Sequence, residues 1–332
     1  MTACVIRGTG SYVPEKVLTN RDLEKMVETS DEWITTRTGI RERRIAADDQ
    51  ATSDLAIKAA GNALDAAGMA PEEVELVLVA TATPDMFFPA TACLVQQAIG
   101  ATNAAAFDIS AACSGFIYGL SVADGFIRSG AYGNVLLIGA ETMSRVIDWQ
   151  NRDTCVLFGD GAGAVMLTAG EGDPRDGAAG LIYTEIHSDG AAWDYICVPG
   201  GGSRLPPGPA LLEGRQQFLQ MRGNETFKVA VRNMAQAARQ VTERAGIKPE
   251  DLKLVVPHQA NIRILNAVAD RLGLTEGQLF VNLESYGNTS AASVPLALDE
   301  AVREGRLEPG DLVLMLAFGA GLTWGSALLR WG

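Results

Sequence analysis

The sequence contains few of the residues that build metal sites and disulfide frameworks. Its 332 residues include only two histidines, and its five cysteines are odd in number and widely spaced, with no C-x-x-C pair. Structural zinc sites need closely spaced cysteine and histidine ligands, and disulfide scaffolds need paired cysteines. We therefore expect neither a metal site nor a disulfide framework.

Long apolar runs are also absent. The longest run, LVLMLAF at residues 312–318, is far shorter than the roughly 20 residues that span a bilayer. The opening residues, MTACVIRGTG, lack the charged-then-apolar layout of a secretory signal peptide. We expect a cytoplasmic protein that does not enter a membrane.

Positive charge is in short supply. The chain has 27 lysines and arginines against 40 aspartates and glutamates, a net charge of −13. Nucleic acids and anionic membranes attract basic surfaces, so neither is an expected partner. One basic cluster, RTGIRERR at residues 37–44, is open to two interpretations: a patch for an acidic partner, or a solvated loop balanced by Asp48 and Asp49.

The residues that are abundant indicate a globular α/β protein. Hydrophobic residues make up 47% of the chain, charged residues 20%, and helical and strand-like stretches alternate without a low-complexity tract. The length allows one large domain or two of ordinary size, each able to bury a core.

An internal repeat indicates how the chain is organised. AGMAPEEVELVLV from Ala67 resembles AGIKPEDLKLVVP from Ala245, an offset of 245 − 67 = 178. IRSGAYGNVLLIGA from Ile127 resembles VREGRLEPGDLVLMLA from Val302, an offset of 302 − 127 = 175. FGDGAGAVML and FGAGLTWGSALL follow in the same order. Any two α/β units share some such similarity, but three ordered matches predict a duplication, with halves at residues 1–172 and 173–332.

Cys113 is the first candidate for chemistry. It lies in DISAACSGF, after a predicted buried strand in NAAAFDI and before a predicted helix. Apolar residues recur at helical spacing in that helix, at Phe116, Leu120, Ala123 and Ile127. A helix start favours the reactive thiolate, although an unpaired cysteine is also a common small core residue. Both interpretations are open from this stretch alone.

The repeat relates Cys113 to two further polar residues. At the offset of 175 its counterpart is Asn288, because 288 − 113 = 175. The strand VELVLVA leads to Thr81, and its counterpart LKLVVPH leads to His258. Sites in open α/β sheets form at the carboxyl ends of strands. The pseudo-symmetry therefore predicts one central cleft with Cys113, His258 and Asn288.

Four ordered motifs hold these residues: DISAACSGF, VPHQANIRI, YGNTSAASVPLAL and FGAGLTWGSALLR. Together they resemble the β-ketoacyl-acyl-carrier-protein synthase III family, the initiating condensing enzymes of type II fatty acid synthesis, and the resemblance extends over essentially the whole chain. It implies a thiolase-like fold, layered α-β-α-β-α from two similar halves, and usually a homodimer. It also implies an acyl-CoA substrate, an acyl carrier protein as partner, and no separate cofactor.

The resemblance assigns catalytic roles residue by residue. Cys113 is the nucleophile that carries the acyl group, and His258 and Asn288 are neutral donors to the enolate formed when a malonyl thioester loses carbon dioxide. The backbone N–H groups of Cys113 and Ala320 form the oxyanion hole. Alanine can supply the second of these donors provided that the turn does not require a positive φ at position 320. His187 matches no catalytic position, and we expect it to be structural.

The resemblance also implies substrate contacts. Trp33 and Arg152 are expected to sandwich the adenine of coenzyme A, and Arg37 to meet phosphate; the less favoured alternative for Trp33 is an amphipathic ring packed at the rim of the core. Asn261 is expected to line the pantetheine tunnel. Phe88, in DMFFPATA, is expected to reach across the dimer and close the partner's acyl pocket.

Carrier-protein docking is expected at Arg263 and Lys228, supported by Arg271, because the carrier is acidic. Asp270 stands where some relatives have lysine, which leaves the composition of this patch open. The segment VPGGGSRLPPGPALLEG, residues 198–214, is either a lid or a passive surface excursion.

Three other functions remain as alternatives. The same Cys, His, Asn set serves condensing enzymes of secondary metabolism, which join acyl groups to other acceptors. A cysteine thioester hydrolase would instead use His258 as a base and pass the acyl group to water. A silent partner subunit would only bind acyl chains, but such subunits typically lose the cysteine. The sequence does not indicate whether the primer is acetyl or branched.

Overall fold

The computed structural model describes residues 2–332, and its first half is built on a five-stranded sheet. The elements of this half are β1 (Thr2–Tyr12), β2 (Lys16–Thr19), α1 (Asn20–Leu23), α2 (Asp31–Thr38), β3 (Glu42–Ile45), α3 (Thr52–Ala67), β4 (Leu76–Ala80), α4 (Thr91–Ile99), β5 (Ala105–Ile109), α5 (Gly115–Ser129), β6 (Asn134–Thr142), α6 (Arg152–Cys155) and β7 (Asp160–Glu171). The strand order is β1-β7-β6-β4-β5. Strands β5, β4 and β6 are parallel, and β7 runs antiparallel to both β6 and β1.

The second half is built on a four-stranded sheet of similar design. Its elements are β8 (Gly180–Ser188), β9 (Ile196–Cys197), α7 (Pro209–Glu213), β10 (Gln220–Met221), α8 (Gly223–Ala245), β11 (Leu254–Pro257), α9 (Ile262–Leu272), α10 (Leu283–Tyr286), α11 (Ser293–Arg303), β12 (Leu312–Gly319) and β13 (Thr323–Arg330). The strand order is β11-β12-β13-β8, and only β11 and β12 are parallel. Four strands of the first sheet, in the order β4-β6-β7-β1, recur with the same directions as β11-β12-β13-β8, which confirms the predicted similarity of the two halves.

Helices α5 and α11 lie between the two sheets and share one apolar core with both of them. Helices α3 and α4 cover the outer face of the first sheet, and α8 and α9 cover the outer face of the second. The order of layers is therefore α-β-α-β-α, which confirms the expected thiolase-like architecture. The four residues that predicted α5 by their spacing are all buried: Phe116, Leu120, Ala123 and Ile127.

Helix α8, at 23 residues, is the longest of the described chain. Its buried residues, such as Ala230, Met234 and Val241, face the second sheet, while its charged residues lie in solvent. Within residues 2–332, no helix combines the length and the apolar character needed to cross a bilayer.

The repeat keeps a shift of 178 residues at three elements that follow in the same order in both halves. Strands β4 and β11 begin 254 − 76 = 178 residues apart, α5 and α11 begin 293 − 115 = 178 apart, and β6 and β12 begin 312 − 134 = 178 apart. Since 113 + 178 = 291, the counterpart of Cys113 is Ala291, and the predicted pairing of Cys113 with Asn288 is wrong. The error arises because α11 has 11 residues where α5 has 15, so a match made at the helix ends gives a smaller offset.

The first sheet ends at Glu171, and the second begins at Gly180. On this ground we propose the boundary between the halves at residues 172 and 173.

Strand β5 corrects another expectation, because it is not buried. It forms the outer edge of the first sheet and pairs only with β4. Its side chains alternate between exposed and half-buried, and Phe107 is 38% exposed. The apolar run NAAAFDI predicted a strand correctly, but an apolar run alone does not distinguish a central strand from an edge strand.

The two halves approach closely where a glycine of one half faces the backbone of the other. A Cβ at Gly139 of β6 would lie 2.3 Å from the carbonyl oxygen of Ala291. We expect Gly139→Ala to lower the free energy of unfolding by about 1–3 kcal/mol, because the added methyl group would overlap the Ala291 carbonyl. Urea unfolding followed by circular dichroism measures this change.

Gly125→Ala is the matched control. Gly125 lies within α5, and a Cβ there meets nothing within 4 Å. This control is expected to leave stability unchanged or to raise it by up to about 1 kcal/mol. Equal stability of the two variants would contradict the close approach at Gly139.

Candidate active site

A cavity of about 430 Å³ opens where the carboxyl ends of β4 and β11 face the turns that precede α5 and α11. Cys113, His258 and Asn288 all line it, together with Ala320 and Asn261. These residues come from both halves of the chain, so the pseudo-symmetry brings together the three side chains that the sequence singled out.

His258 directly follows β11 and is 3% exposed. Its Nδ1 lies 2.6 Å from the hydroxyl oxygen of Ser293, which also accepts a 3.4 Å hydrogen bond from the backbone N–H of Gln259. We assign the Ser293 proton to Nδ1, because the described contacts give that hydroxyl no other acceptor, and this tautomer places the ring proton on Nε2. Burial lowers the pKa of His258 to about 4, which keeps the ring neutral near pH 7.

Asn288 is held by the turn that follows it. Its side-chain Oδ1 accepts a 2.8 Å hydrogen bond from the backbone N–H of Ser290, and its own N–H donates to the carbonyl of Leu157 at 2.8 Å. Because the oxygen end of the carboxamide is engaged by the turn, the amide nitrogen is the end left to donate. His258 and Asn288 thus present neutral N–H donors to the same cavity.

Cys113 lies in the short 3-10 turn Ala112–Ser114, which leads into α5. Ala112 has a φ of 47°, an uncommon conformation for a residue with a side chain. Gly319 of β12 packs against the nucleophile, because a Cβ there would lie 2.7 Å from the Cys113 backbone nitrogen. The strand of one half therefore fixes the position of the cysteine of the other.

The ionisation of Cys113 differs from the expectation. The thiol keeps partial access to the cavity, yet burial raises its pKa to about 12. The charge of Glu141 raises the pKa further, and the Ser290 hydroxyl lowers it. A helix start was expected to favour the thiolate, but desolvation outweighs it here, so the resting nucleophile is a protonated thiol.

Ala320 follows Gly319 and lines the cavity beside the turn of Cys113. Its carbonyl and that of Ala111 both accept from the hydroxyl of Thr323, each at 2.9 Å. This shared hydroxyl holds the segments before Cys113 and at Ala320 side by side. Ala320 does not have a positive φ, so alanine fits the turn without strain.

Three functional residues at the site escaped sequence reasoning. Ser290 and Ser293 lie in the GNTSAASV stretch, two and five residues after Asn288. Glu141 ends β6 with its side chain fully buried. A carboxylate at the end of the apolar run NVLLIGAE was the available signal, because buried charge is rare without a partner.

Trp33, Arg37 and Arg152 form a stack beside the cavity. The guanidinium carbons of Arg37 and Arg152 lie 4.7 and 5.0 Å from the centre of the Trp33 ring. Asn261 connects this stack to the cavity wall, because its side-chain nitrogen donates to the Arg37 carbonyl at 3.1 Å. The four predicted coenzyme A contacts therefore occupy one continuous region.

The remaining predicted residues lie on the surface. Arg263 borders the cavity mouth, with its guanidinium 5.5 Å from the Phe227 ring, while Lys228 and Arg271 are exposed on α8 and α9. Phe88 is 84% exposed and does not line the cavity of its own chain.

His187, the second histidine, lies outside the cavity lining. It belongs to β8, and its ring stacks on Trp324 with 5.6 Å between ring centres. In the segment at residues 198–214, Val198 borders the cavity, and most of the other residues are exposed.

Comparisons with known proteins agree with this geometry. Residues 107–190 match the sequence profile of 3-oxoacyl-(acyl-carrier-protein) synthase III, and residues 242–331 match the profile of its C-terminal part. A β-ketoacyl-(acyl-carrier-protein) synthase III of Caldanaerobacter subterraneus is 54% identical over 99% of this chain and 98% of its own length. One from a Roseiflexus species is 55% identical over 98% and 97%.

Solved structures show the same relation. The 3-oxoacyl-(acyl-carrier-protein) synthase III of Aquifex aeolicus superposes with a TM-score of 0.91 at 51% identity, covering 99% of this chain and 100% of that one. The priming β-ketosynthase of the R1128 polyketide pathway gives a TM-score of 0.90 at 37% identity, covering 99% and 96%. The chain therefore belongs to the 3-oxoacyl-(acyl-carrier-protein) synthase III family and is an acyltransferase that catalyses the initiating condensation of fatty acid synthesis.

Proposed function

We propose that this chain accepts an acyl group from coenzyme A on Cys113 and condenses it with a malonyl group delivered by acyl carrier protein. The observation that supports this most directly is the meeting of a thiol and two neutral N–H donors in one cavity of about 430 Å³. A cavity of this size suits a pantetheine arm and a short acyl chain.

In the first half-reaction the Cys113 sulfur attacks the acyl-CoA carbonyl, and coenzyme A leaves. The negative oxygen of the tetrahedral intermediate requires two convergent backbone donors. We assign these to the N–H groups of Cys113 and Ala320, whose segments are held together by the Thr323 hydroxyl.

In the second half-reaction a malonyl thioester loses carbon dioxide, and the resulting enolate carbon attacks the acyl group on Cys113. The carbon–carbon bond forms, and the bond from the acyl carbon to the Cys113 sulfur breaks. The enolate oxygen is best stabilised by rigid donors that do not lose or gain protons. His258 fits because Ser293 fixes its tautomer, and Asn288 fits because the Ser290 N–H fixes its carboxamide. Acyl and proton transfers of this kind need no separate cofactor.

Coenzyme A recognition is proposed at the stack of Trp33, Arg37 and Arg152. Arg152 lies against the indole, and its guanidinium also donates to the Glu28 carbonyl at 3.0 Å. An adenine could insert by replacing one guanidinium–indole contact with two stacking contacts, while Arg37 meets phosphate. Asn261 then lines the path of the pantetheine arm into the cavity.

An acidic carrier protein requires local positive charge on a chain whose net charge is −13. Arg263, Lys228 and Arg271 supply it near the cavity mouth and along α8 and α9. Arg239 of α8 lines the same surface depression as Arg271 and extends this positive surface. Asp270 reduces the positive charge beside Arg271.

A homodimer is proposed from the edge of the first sheet. Strand β5 exposes its free edge, and the exposed phenylalanines Phe87 (78%), Phe88 (84%) and Phe107 (38%) would be covered by a second copy. In that assembly Phe88 would close the acyl pocket of the partner.

A cytoplasmic location is proposed because the five cysteines are free thiols. The hydrolase and the silent-subunit alternatives are not favoured by the family relation, and identities above 50% to synthase III enzymes favour fatty acid initiation over secondary metabolism.

Variants of the three cavity residues separate the two half-reactions. We expect Cys113→Ala to form no acyl-enzyme with acyl-CoA but to retain some malonyl decarboxylation. We expect His258→Ala and Asn288→Ala to become acylated but to lose decarboxylation and condensation by roughly 10² to 10³-fold, since each removes one enolate donor. Intact-protein mass spectrometry and carbon dioxide release measure the two steps. The assignment of the enolate donors fails if His258→Ala cannot be acylated yet still decarboxylates.

Reversing the charge of Arg263 tests carrier docking. Arg263→Glu is expected to raise the KM for malonyl-carrier protein at least several-fold while the rate of acylation by acyl-CoA changes little. Lys253→Glu is the matched control, because it makes the same charge change on an exposed residue at the opposite end of β11. Equal effects of both variants would indicate a general charge effect and no docking site.

Phe88→Ala tests the acyl pocket. Removing this ring is expected to shift the chain-length profile toward longer acyl-CoAs, with acylation of Cys113 as the measurement. Phe87→Ala removes the neighbouring exposed ring and should leave the profile unchanged. An unchanged profile in Phe88→Ala shows that another residue limits primer length.

A further inference from the structure

Glu141 is a fully buried carboxyl group for which the proposed reaction has no role. It lies at the end of β6, and all its hydrogen-bond partners are donors. These are the hydroxyls of Thr83 (2.5 Å), Ser290 (2.9 Å) and Thr81 (3.2 Å), and the backbone N–H groups of Ala82 (3.1 Å) and Ala291 (3.5 Å). Burial raises the pKa of Glu141, and the surrounding hydroxyl and N–H donors lower it by stabilising the ionised form. A carboxyl whose pKa is raised by burial is a stronger base than an exposed one.

Ser290 connects this carboxylate to the nucleophile. Its hydroxyl donates to Glu141 Oε1 at 2.9 Å. Ser290 and Cys113 line the same cavity, and the Ser290 hydroxyl lowers the pKa of the Cys113 thiol. The backbone of Ser290 has a φ of 50°, an uncommon conformation that the surrounding contacts must maintain. The side chains of Cys113, Ser290 and Glu141 therefore form a continuous path from the cavity into the protein.

The thiol needs such a path, because it is protonated at rest. Its pKa is raised to about 12, so its proton must leave during attack on a thioester. His258 is a poor acceptor: burial lowers its pKa to about 4, its Nδ1 is engaged by Ser293, and its Nε2 carries a proton. Glu141 is the remaining titratable group that faces Cys113.

We propose that Ser290 and Glu141 form a proton relay that deprotonates Cys113 as it attacks the acyl-CoA. This inference rests on the proposed function of Cys113. The thiol proton moves to Ser290 Oγ, and the Ser290 proton moves to Glu141 Oε1. The bond from Sγ to the acyl carbon forms, and the bond from that carbon to the coenzyme A sulfur breaks. The departing thiolate recovers the proton along the same path, which returns Glu141 to its ionised form.

The electrostatics of the path favour this exchange. The charge of Glu141 raises the pKa of Cys113, so proton transfer to Glu141 removes the repulsion that opposes the thiolate. After transfer, Ser290 donates to the sulfur, the interaction that lowers the pKa of Cys113. Hydroxyl and amide groups surround Glu141 from the segment after β4 and from the turn at residues 290–292. One negative charge moves between two sites, and no second charge is created.

Ser290→Ala breaks the relay and removes only one oxygen atom from the side chain. Alanine is acceptable at this backbone conformation, since Ala112 has a φ of 47° in the equivalent turn. It also keeps the backbone N–H that orients Asn288. Thr81→Val is the matched control, because it removes a different hydroxyl from the same carboxylate. Glu141→Gln, checked for folding by circular dichroism, is a second test of the acceptor.

The measurement is the pH dependence of Cys113 modification between about pH 6 and pH 9. Two reagents are used, acetyl-CoA and iodoacetamide, and the modified protein is quantified by mass spectrometry. In the parent chain and in Thr81→Val, the rate should be nearly independent of pH, because an internal base removes the proton. In Ser290→Ala and in folded Glu141→Gln, the rate should fall about 10²-fold near pH 7 and then rise about tenfold per pH unit.

The other outcomes overturn the relay. A pH-independent rate in Ser290→Ala shows that the hydroxyl carries no proton, and equal profiles for Ser290→Ala and Thr81→Val show a structural effect only. A pH-dependent rate confined to His258→Ala makes the histidine the base. Failure of the proposed function would be seen separately, because the parent chain would then carry no acetyl group on Cys113. In that case the reaction with iodoacetamide still tests the relay.

Discussion

Close backbone contact between the two halves is the constraint on which the site depends. Gly139 of β6 faces the Ala291 carbonyl, and Gly319 of β12 faces the Cys113 nitrogen, each too closely for a Cβ. A strand of either half is thereby pressed against the turn that begins the central helix of the other. Larger side chains at these positions would separate the turns and remove Cys113 from the segment at Ala320.

Burial at this junction sets the chemistry of every polar group in the cavity. Desolvation keeps the imidazole of His258 neutral and the thiol of Cys113 protonated. The first effect suits an enolate donor, which must not titrate near neutral pH. The second opposes a nucleophile, which must lose a proton. In the proposed relay, the Glu141 carboxyl, which accepts from the Ser290 hydroxyl, is the acceptor for that proton.

The internal repeat and the motif order predicted two similar halves and one cleft with the three principal side chains, and the family resemblance implied the layered architecture. The sequence was not sufficient for quantities set by three-dimensional packing. The counterpart of Cys113 was misplaced by three residues because the two central helices differ in length. Three further features depend on which elements become neighbours in the fold. These are the edge position of β5, the raised pKa of Cys113 and the hydrogen-bond partners of Glu141.

Ser290 contributes to both chemical functions of this junction. Its backbone N–H holds the Oδ1 of Asn288, and its hydroxyl lies between Cys113 and Glu141. One residue thus contacts both the group that must donate to an enolate and the group that must lose a proton. A positive φ is what allows this, because it turns the N–H and the hydroxyl toward different partners within a single turn. The uncommon backbone conformations of Ala112 and Ser290, at equivalent places in the two halves, are therefore part of how the fold assembles its active site.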